Sequence, residues 1–278
     1  MESKTKYHII NSVESSEEKD ILVVIHNAGF FSCSSIALQD IMIYYNEHKQ
    51  LPNVVDRFAQ YGFYKKDATD NLIPFFFKED NSFGITIGHP VKITSAREDP
   101  QYSDYKLLDF KDLKPFIDKF FTPSDYVQET VFWMKEKYHI DLDNTCAVFY
   151  RGNDKNRETT IAPYEEFILK AKEIQAQNPD IWFLVQPDET EFLEAFQNEF
   201  TNVFSFKETP HMRKQDSAMF FELPIPERAE YGSKFLSAVL VMSQCKHLIT
   251  HSGNGGLWSV IYRGNGDNVY QWLNDKCI

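Results

Sequence analysis

The sequence lacks paired cysteines, a bilayer-length apolar run and an excess of basic residues, and each absence excludes a class of protein. The four cysteines, Cys33, Cys146, Cys245 and Cys277, form no CxxC pair, which argues against a zinc site and indicates free thiols in a reducing compartment. No apolar run approaches the ~20 residues that span a bilayer, and the polar stretch 1–20 does not have the pattern of a signal peptide. We therefore expect a cytoplasmic protein without a membrane span.

The charge balance of the chain is acidic. Asp and Glu number 41 against 29 Lys and Arg, which gives a formal net charge of −12. A protein whose main task is to bind nucleic acid needs clustered basic side chains, so we expect no nucleic-acid partner. The 278 residues suffice for two domains of moderate size, and 24 Phe and 14 Tyr predict a large aromatic core.

Short apolar runs alternate with helical patterns along the chain, which predicts an α/β fold with a parallel sheet. Strands are predicted at 21–25, 75–77, 85–87, 146–150, 181–185, 203–206 and 248–249, and helices at 34–45, 109–121, 126–138, 163–176, 189–199, 227–244 and 256–262. We predict that Asp125 caps the helix at 126–138. The break that begins at Thr122 divides the chain into an N-terminal lobe, 1–122, and a C-terminal lobe, 123–278.

Polar side chains follow three of the predicted strands. They are Arg151, Asn153 and Asp154, then Gln186 and Asp188, and then Thr250, His251, Ser252 and Asn254. In a parallel sheet these residues meet at one edge, outside the carboxyl ends of the strands, where ligands of open α/β sheets bind. The planar guanidinium of Arg151 suits phosphate oxygens, and Gly253, Gly255 and Gly256 allow a close approach to the N-terminus of a helix. The pattern predicts a diphosphate site.

Four segments carry a resemblance to a known family. Residues 149–155, Phe-Tyr-Arg-Gly-Asn-Asp-Lys, resemble the His-x-Arg-Arg-x-Asp motif of GT-B fucosyltransferases, the superfamily of α1,6-fucosyltransferases and protein O-fucosyltransferases. Residues 181–191 are similar to the family's strand ending in Thr-Asp-Asp-Pro. Residues 243–254 are similar to its Ser-Gln-Ala-Asp-Phe-Leu-Val-x-Thr-x-Ser-Ser segment, and residues 27–33 resemble its glycine-rich turn. The likeness covers most of the chain in order.

This resemblance implies an α/β, GT-B fold, in which two Rossmann-like lobes enclose a cleft. Lobe 1–122 would face the acceptor and lobe 123–278 would bind the nucleotide-sugar. The implied activity is an inverting glycosyl transfer to a glycan acceptor that needs no metal and no cofactor besides the donor. Donor-binding residues would be Asn27, Gly29, Arg151, Asp154, Gln186, Asp188, His251, Ser252, Gly253 and Asn254. Arg151 and backbone N–H groups near 252–255 would stabilise the departing diphosphate.

The chain also departs from the family pattern. Phe149 stands at the His of the motif, Gly152 stands at its second Arg, and Ala238 stands where the family has an acidic residue that recognises guanine. The donor is therefore open between a GDP-sugar of fucose or a related deoxyhexose and UDP-xylose. The compact size and the many Phe and Asn also resemble glycosyltransferases of large DNA viruses that infect algae and glycosylate their own capsids, which would place the protein in the host cytoplasm.

An inverting transfer needs a base for the acceptor hydroxyl, and the N-terminal lobe should supply it. Asp67 and Asp70 are the candidates, with Asp40 behind them. A competing interpretation is a non-catalytic nucleotide-binding or sugar-binding protein that keeps a GT-B shell, which the loss of the motif's His and second Arg favours. A third, an epimerase-like nucleotide enzyme, would need a G-x-G-x-x-G after the first strand, and the sequence has none there. The oligomeric state stays open.

Overall fold

The computed structural model describes residues 20–94 and 99–278, so most of the stretch that we examined for a signal peptide lies outside the described residues. The helices are α1 (Phe30–His48), α2 (Ile73–Phe76), α3 (Phe110–Phe120), α4 (Asp125–Lys137), α5 (Tyr164–Gln177), α6 (Thr190–Glu199), α7 (Met219–Glu222), α8 (Arg228–Gln244) and α9 (Asn254–Arg263). The strands are β1 (Ile21–Val23), β2 (Val54–Asp56), β3 (Phe77–Lys78), β4 (Thr122–Pro123), β5 (Thr145–Tyr150), β6 (Trp182–Pro187), β7 (Val203–Phe204), β8 (His247–His251), β9 (Val269–Leu273) and β10 (Lys276–Cys277). None of the helices in these two stretches is both long and apolar enough to cross a bilayer.

A six-stranded sheet forms the C-terminal half, with the strand order β10-β9-β8-β5-β6-β7. All its pairs are parallel except β10 with β9. Every residue of β5 is buried, as expected of a central strand that is covered on both faces. This confirms the predicted α/β class with a parallel sheet. Because β8, β5 and β6 are neighbours, the polar residues that follow them lie along one edge.

The N-terminal half has less sheet than helix. β1 pairs in parallel with β2, and α1 follows β1 after a short turn. One side of α1 is buried in a hydrophobic core that also includes side chains of α8 and α9. β3 and β4 pair across the predicted division at Thr122, and α4 packs against α8. That division into 1–122 and 123–278 stays a prediction.

Several local predictions were wrong or incomplete. Residues 75–76 lie in the short helix α2, and β3 begins at Phe77. No strand covers 85–87, which the structure describes as a coil, and the backbone N–H of Ile87 is bonded to Tyr45 Oη instead. Ser124 caps α4 by accepting from the backbone N–H of Val127, whereas Asp125 is already the first residue of the helix. β9 and β10 extend the sheet beyond the predicted strands.

Candidate functional site

A cleft of about 390 Å³ opens at the carboxyl ends of β5, β6 and β8. The turn between β1 and α1 forms part of its opposite wall. All ten residues that the sequence predicts to bind the donor line this cleft, namely Asn27, Gly29, Arg151, Asp154, Gln186, Asp188, His251, Ser252, Gly253 and Asn254. The structure therefore brings the predicted set together, and their role as donor-binding residues stays a prediction.

Arg151 is held at the centre of the cleft by two carboxylates. Its Nε donates to Asp188 Oδ2 at 2.8 Å and its Nη2 donates to Asp154 Oδ1 at 2.8 Å. No described residue accepts from Nη1, and the side chain is 30% exposed on the cleft wall. The guanidinium is thus fixed in orientation while part of its donor fork remains available to a ligand.

The Arg151–Asp188 pair is electrostatically coupled. Burial on its own would lower the pKa of Arg151, but Asp188 and Asp154 raise it, so the guanidinium is permanently charged. Burial raises the pKa of the Asp188 carboxyl, and the cation of Arg151 and the backbone N–H of Gly152 oppose that rise. The strand ends of β5 and β6 therefore present a cation with a buried counter-ion behind it.

Gly152, which stands at the second Arg of the motif, has no room for a side chain. A Cβ atom there would lie 1.9 Å from Glu189 Oε1. Glu189 is fully buried and accepts from Tyr164 Oη at 2.5 Å. The carboxylate of Glu189 therefore occupies the space that a side chain at position 152 would enter.

The glycine turn between β8 and α9 presents its N–H groups at different positions from those predicted. The backbone N–H of Ser252 is bonded to Trp272 O at 3.2 Å, and that of Gly253 is bonded to Tyr105 Oη at 2.8 Å. No described residue accepts from the N–H groups of the next three residues, Asn254, Gly255 and Gly256. These groups form the first turn of α9, where N–H groups lack intrahelical partners and attract anions. Of the predicted range 252–255, the last two N–H groups are free, and Gly256 adds a third.

His251, the last residue of β8, is a neutral imidazole. Its Nδ1 faces the carbonyl oxygen of Ser252 at 2.8 Å, and because a carbonyl only accepts, Nδ1 carries the proton. Burial lowers the pKa of His251 to about 4. The side chain therefore adds no positive charge to the cleft near pH 7.

Sequence reasoning missed a second charged pair in the cleft. The Lys155 ammonium is bonded to Glu158 and lies 3.3 Å from Tyr102 Oη, and the Lys155 side chain is only 9% exposed. Both residues of the pair line the cleft, and Glu158 is 50% exposed. The signal was a Lys directly after Asp154 and an acid three residues further on, a spacing that forms a pair on one helical turn.

Asn254 connects the two halves of the chain at the cleft. Its Oδ1 accepts from Ser35 Oγ of α1 at 2.6 Å, and its Nδ2 donates to Gln101 Oε1 at 3.1 Å. Ser35 in turn accepts from Trp258 Nε1 at 2.9 Å. The start of α9 is therefore held against the N-terminal half by side-chain hydrogen bonds.

The predicted bases lie elsewhere. Asp67 and Asp70 are outside the cleft lining, in an exposed loop where Asp70 Oδ2 accepts from the backbone N–H of Asp67 at 2.8 Å. Hydrogen bonds from the backbone and side chain of Thr69 hold the pKa of Asp67 below its usual range. Asp40 is buried in α1 and does not line the cleft either. As general bases these residues stay predictions.

The helix α8 presents aromatic rings to the cleft. Ala238 is fully buried and does not line the cleft, whereas Tyr231 and Phe235 do. The Ala238 side chain itself therefore makes no contact with a ligand in the cleft. Among the described residues, no group of three or more His, Cys, Asp or Glu side chains is arranged to hold a metal ion.

No protein-family model and no curated protein matches the sequence, whereas several solved structures do. A selenomethionine crystal structure of fucosyltransferase NodZ from Bradyrhizobium is similar with a TM-score of 0.58 and 12% identity, over 94% of this chain and 97% of that one. A second NodZ structure gives 0.53 and 11%, over 92% and 96%.

A NodZ α1,6-fucosyltransferase crystal soaked with GDP-fucose gives a TM-score of 0.42 and 11% identity over 59% of this chain, which spans about half of that chain's length, 49%. The two longer alignments run through nearly the whole of both chains. They show that the predicted α/β, GT-B architecture of two Rossmann-like lobes is correct, and the chain has the fold of the fucosyltransferase NodZ.

Proposed function

We propose that the protein is a glycosyltransferase that takes a sugar from a nucleotide-sugar donor and transfers it to a glycan acceptor. One observation carries the proposal: the clamped guanidinium of Arg151 and the three free N–H groups that begin α9 line the same cleft. A diphosphate matches this combination of a fixed cation and a helix N-terminus. The fold shared with a fucosyltransferase supports the same reaction class.

In the proposed reaction the chain's own residues stabilise the leaving group. The acceptor oxygen forms a bond to the anomeric carbon while the bond from that carbon to the diphosphate oxygen breaks. The nucleoside diphosphate leaves with the electron pair, and Arg151 and the N–H groups of α9 neutralise the charge that develops on it. Attack from the side opposite the leaving group inverts the anomeric centre, and we propose that these residues act without a metal ion.

We propose Glu158 as the base that receives the proton of the acceptor hydroxyl. Among the residues that the structure describes, the carboxylates that line the cleft are Asp154, Glu158 and Asp188, and Arg151 holds two of them. Glu158 is bonded to Lys155 and accepts from Tyr102 Oη at 3.1 Å, and it is half exposed. Of these three carboxylates, Glu158 is therefore the one that is half exposed and makes no ion pair with Arg151.

Two donors remain in the proposal. NodZ is described as a fucosyltransferase, which favours GDP-fucose or a GDP-sugar of a related deoxyhexose. UDP-xylose is the other donor, since Ala238 stands where the family has the acidic residue that recognises guanine.

A second candidate function is non-catalytic binding of a nucleotide or sugar. The observation that favours it is Gly152, because the carboxylate of Glu189 fills the space where the family motif has a second Arg. A protein of this kind would bind the nucleoside diphosphate without cleaving a nucleotide-sugar.

The test is donor binding followed by donor turnover in the purified protein. Thermal shift with GDP, UDP, ADP and CMP detects binding, because a ligand at 100 times its Kd adds about 2.7 kcal/mol of stability. Turnover of GDP-fucose and UDP-xylose is then measured with and without EDTA and with a glycan acceptor. We expect Arg151→Lys to reduce turnover about 100-fold, and Arg157→Ala, an exposed change in the same loop, to leave it unchanged. Binding without turnover would favour the second candidate, and unchanged turnover in Arg151→Lys would contradict the proposed site.

A further inference from the structure

Two oxygen atoms in residues that line the cleft lack hydrogen-bond partners. Gln186 Oε1 and Thr209 Oγ1 are both shielded from solvent and have no partner among the described residues. Gln186 is 3% exposed and Thr209 is 2% exposed, and both residues belong to the cleft wall. An unpaired buried polar atom is costly, so a pair of them beside a cleft indicates a ligand that supplies the missing hydrogen bonds.

The orientation of the Gln186 amide is fixed. Its Nε2 donates to the carbonyl oxygen of Thr209 at 2.9 Å, and because a carbonyl only accepts, the amide nitrogen must point there. Oε1 is consequently the atom left for a ligand, and it can only accept. Thr209 Oγ1 belongs to a hydroxyl, which can donate or accept.

These two residues lie on one side of the proposed diphosphate position. Gln186 lies in β6, and Thr209 is bonded to it beyond the end of β7. The pair of Lys155 and Glu158 lies on the other side, next to the turn that precedes α9. Because Glu158 is the proposed base, the reacting sugar and the acceptor lie on its side of the diphosphate. The nucleoside is attached to the other end of the diphosphate and therefore extends toward Gln186.

The cleft lining also includes flat apolar surfaces. The rings of Phe63, Phe220 and Phe221 form a cluster in which the centroids of Phe220 and Phe221 are 4.2 Å apart and Phe63 stacks on Phe220 at 5.6 Å. Phe221 is 51% exposed, and the side chains of Pro187 and Pro210 also line the cleft. Aromatic surface and unpaired oxygens in the lining of one cleft suit a planar heterocycle with an N–H group.

We propose that Gln186 and Thr209 form a base-recognition site for a lactam edge, the adjacent ring N–H and C=O that guanine and uracil share. Gln186 Oε1 accepts from the ring N–H, and the hydroxyl of Thr209 donates to the neighbouring carbonyl oxygen. Adenine and cytosine have an unprotonated ring nitrogen at this position, so they leave Gln186 Oε1 facing a lone pair. This inference rests on the proposed function, because it assumes that a nucleoside diphosphate occupies the cleft.

The first experiment compares bases by isothermal titration calorimetry of the full chain with GDP, UDP, IDP, ADP and CDP. We expect GDP, UDP or both to bind at least about tenfold more tightly than ADP and CDP, since a site built for a hydrogen bond rejects a ligand that leaves its polar groups unpaired. IDP has the lactam edge but not the 2-amino group of guanine, so it distinguishes recognition of the shared edge from recognition of guanine alone. ADP or CDP binding as tightly as both GDP and UDP would overturn the inference.

The second experiment uses Thr209→Val, which removes only the hydroxyl, and Gln186→Met. We expect each to weaken binding of the preferred nucleoside diphosphate about 3–10-fold, with inorganic pyrophosphate binding as in the wild type. Thr190→Val, which removes a hydroxyl bonded to His211 outside the cleft lining, is the matched control. An undiminished base preference in Thr209→Val would overturn the inference, even if Gln186→Met fails to fold.

The same panel distinguishes a failure of the donor site from a failure of base recognition. If neither pyrophosphate nor any nucleoside diphosphate binds, the proposed donor site fails, and the base-recognition site fails with it. If all the nucleoside diphosphates bind equally and the Arg151 variant weakens them all, the donor site stands and only the recognition of a lactam edge is wrong.

Discussion

Arg151 donates from Nε to Asp188 Oδ2 at 2.8 Å and thereby joins the carboxyl ends of β5 and β6. Asp188 Oδ1 accepts in addition from the backbone N–H of Gly152 at 2.8 Å, so the carboxylate is satisfied on both oxygens. Asp188 therefore fixes the orientation of the Arg151 guanidinium in the cleft and serves as its counter-ion. The stability of the strand edge and the affinity for a diphosphate therefore depend on the same carboxylate.

We predict that Asp188→Asn lowers the free energy of unfolding by about 2 kcal/mol, because it removes the buried counter-ion of a guanidinium. Asp154→Asn, which breaks the more exposed of the two ion pairs, should cost less than about 1 kcal/mol. Urea unfolding of both variants measures the difference. Equal losses would show that the pair with Asp188 is no stronger than an exposed one.

Gly152→Ala should lower the free energy of unfolding by about 1–3 kcal/mol, because the new Cβ meets the buried carboxylate of Glu189. Gly88→Ala is the control, since no atom lies within 4 Å of a Cβ there. A double-mutant cycle with Glu189→Ala isolates the clash. The double variant should lose less than the sum of the single losses by at least about 0.5 kcal/mol, and strict additivity would contradict the steric explanation.

Tyr105 supports the glycine turn from behind the cleft. Its Oη is bonded to the backbone N–H and carbonyl oxygen of Gly253 at 2.8 and 2.9 Å. Tyr105→Phe should cost about 1–3 kcal/mol of stability, since it leaves a buried N–H unpaired, and should also weaken binding of pyrophosphate.

Tyr262→Phe is the matched control for Tyr105→Phe. It removes a hydroxyl that donates to Phe121 O at 3.0 Å, away from the cleft lining. Calorimetric titration of both variants with pyrophosphate should show a loss of affinity for Tyr105→Phe and none for Tyr262→Phe. A similar affinity in the two variants would mean that the bond to Gly253 does not shape the anion site.

The position of the residues that follow the strands was predictable, because the carboxyl ends of parallel strands lie at the same edge of a sheet. Once β5, β6 and β8 are recognised as apolar runs, the residues that follow them must meet at one edge, and Arg151, Asp188 and Asn254 do so. The choice of α/β class needed no more than this alternation.

Three features of the site depend on contacts within the folded chain or on burial, and the sequence did not predict them. Nothing local indicates that Tyr105, 148 positions earlier, uses the N–H of Gly253, so the free N–H groups were predicted too early in the turn. Asp67 and Asp70 were chosen because they are acidic and N-terminal, yet their carboxylates accept from their own loop. Lys155 and Glu158 were overlooked because charged side chains on a turn are mostly exposed, and burial of this ammonium comes from the packing around it.

The assignment of the base is tested by Glu158→Gln against Asp67→Asn and Asp70→Asn. Glu158→Gln keeps the shape of the side chain but removes its ability to take a proton, so we expect kcat for transfer to fall at least about 100-fold. KM for the donor should change little. The loss should persist across the pH profile, whereas the Asp67 and Asp70 variants should follow the wild type. A large loss in either Asp variant, with Glu158→Gln active, would reverse the assignment.

His251 should make the protein less stable in mild acid. Burial lowers its pKa from 6.5 to about 4 in the folded chain, whereas the unfolded chain binds the proton near the ordinary value. As the pH falls from 6.5 to 4, the unfolded state therefore gains protons that the folded state does not, and stability is lost over that window. The full shift corresponds to roughly 3 kcal/mol.

His251→Asn tests this origin of acid sensitivity. The Asn amide can donate to the carbonyl oxygen of Ser252 as Nδ1 does, but it does not titrate. Urea unfolding at several pH values should give a slope between pH 6.5 and 4 that is shallower in the variant, with the two curves differing by up to about 3 kcal/mol over the window. His26→Asn should remove a smaller part of the slope, because His26 is only partly buried and burial lowers its pKa less. An unchanged slope in His251→Asn would mean that the pKa of this imidazole is the same in the folded and unfolded chains, and that burial of His251 is not a cause of the acid sensitivity.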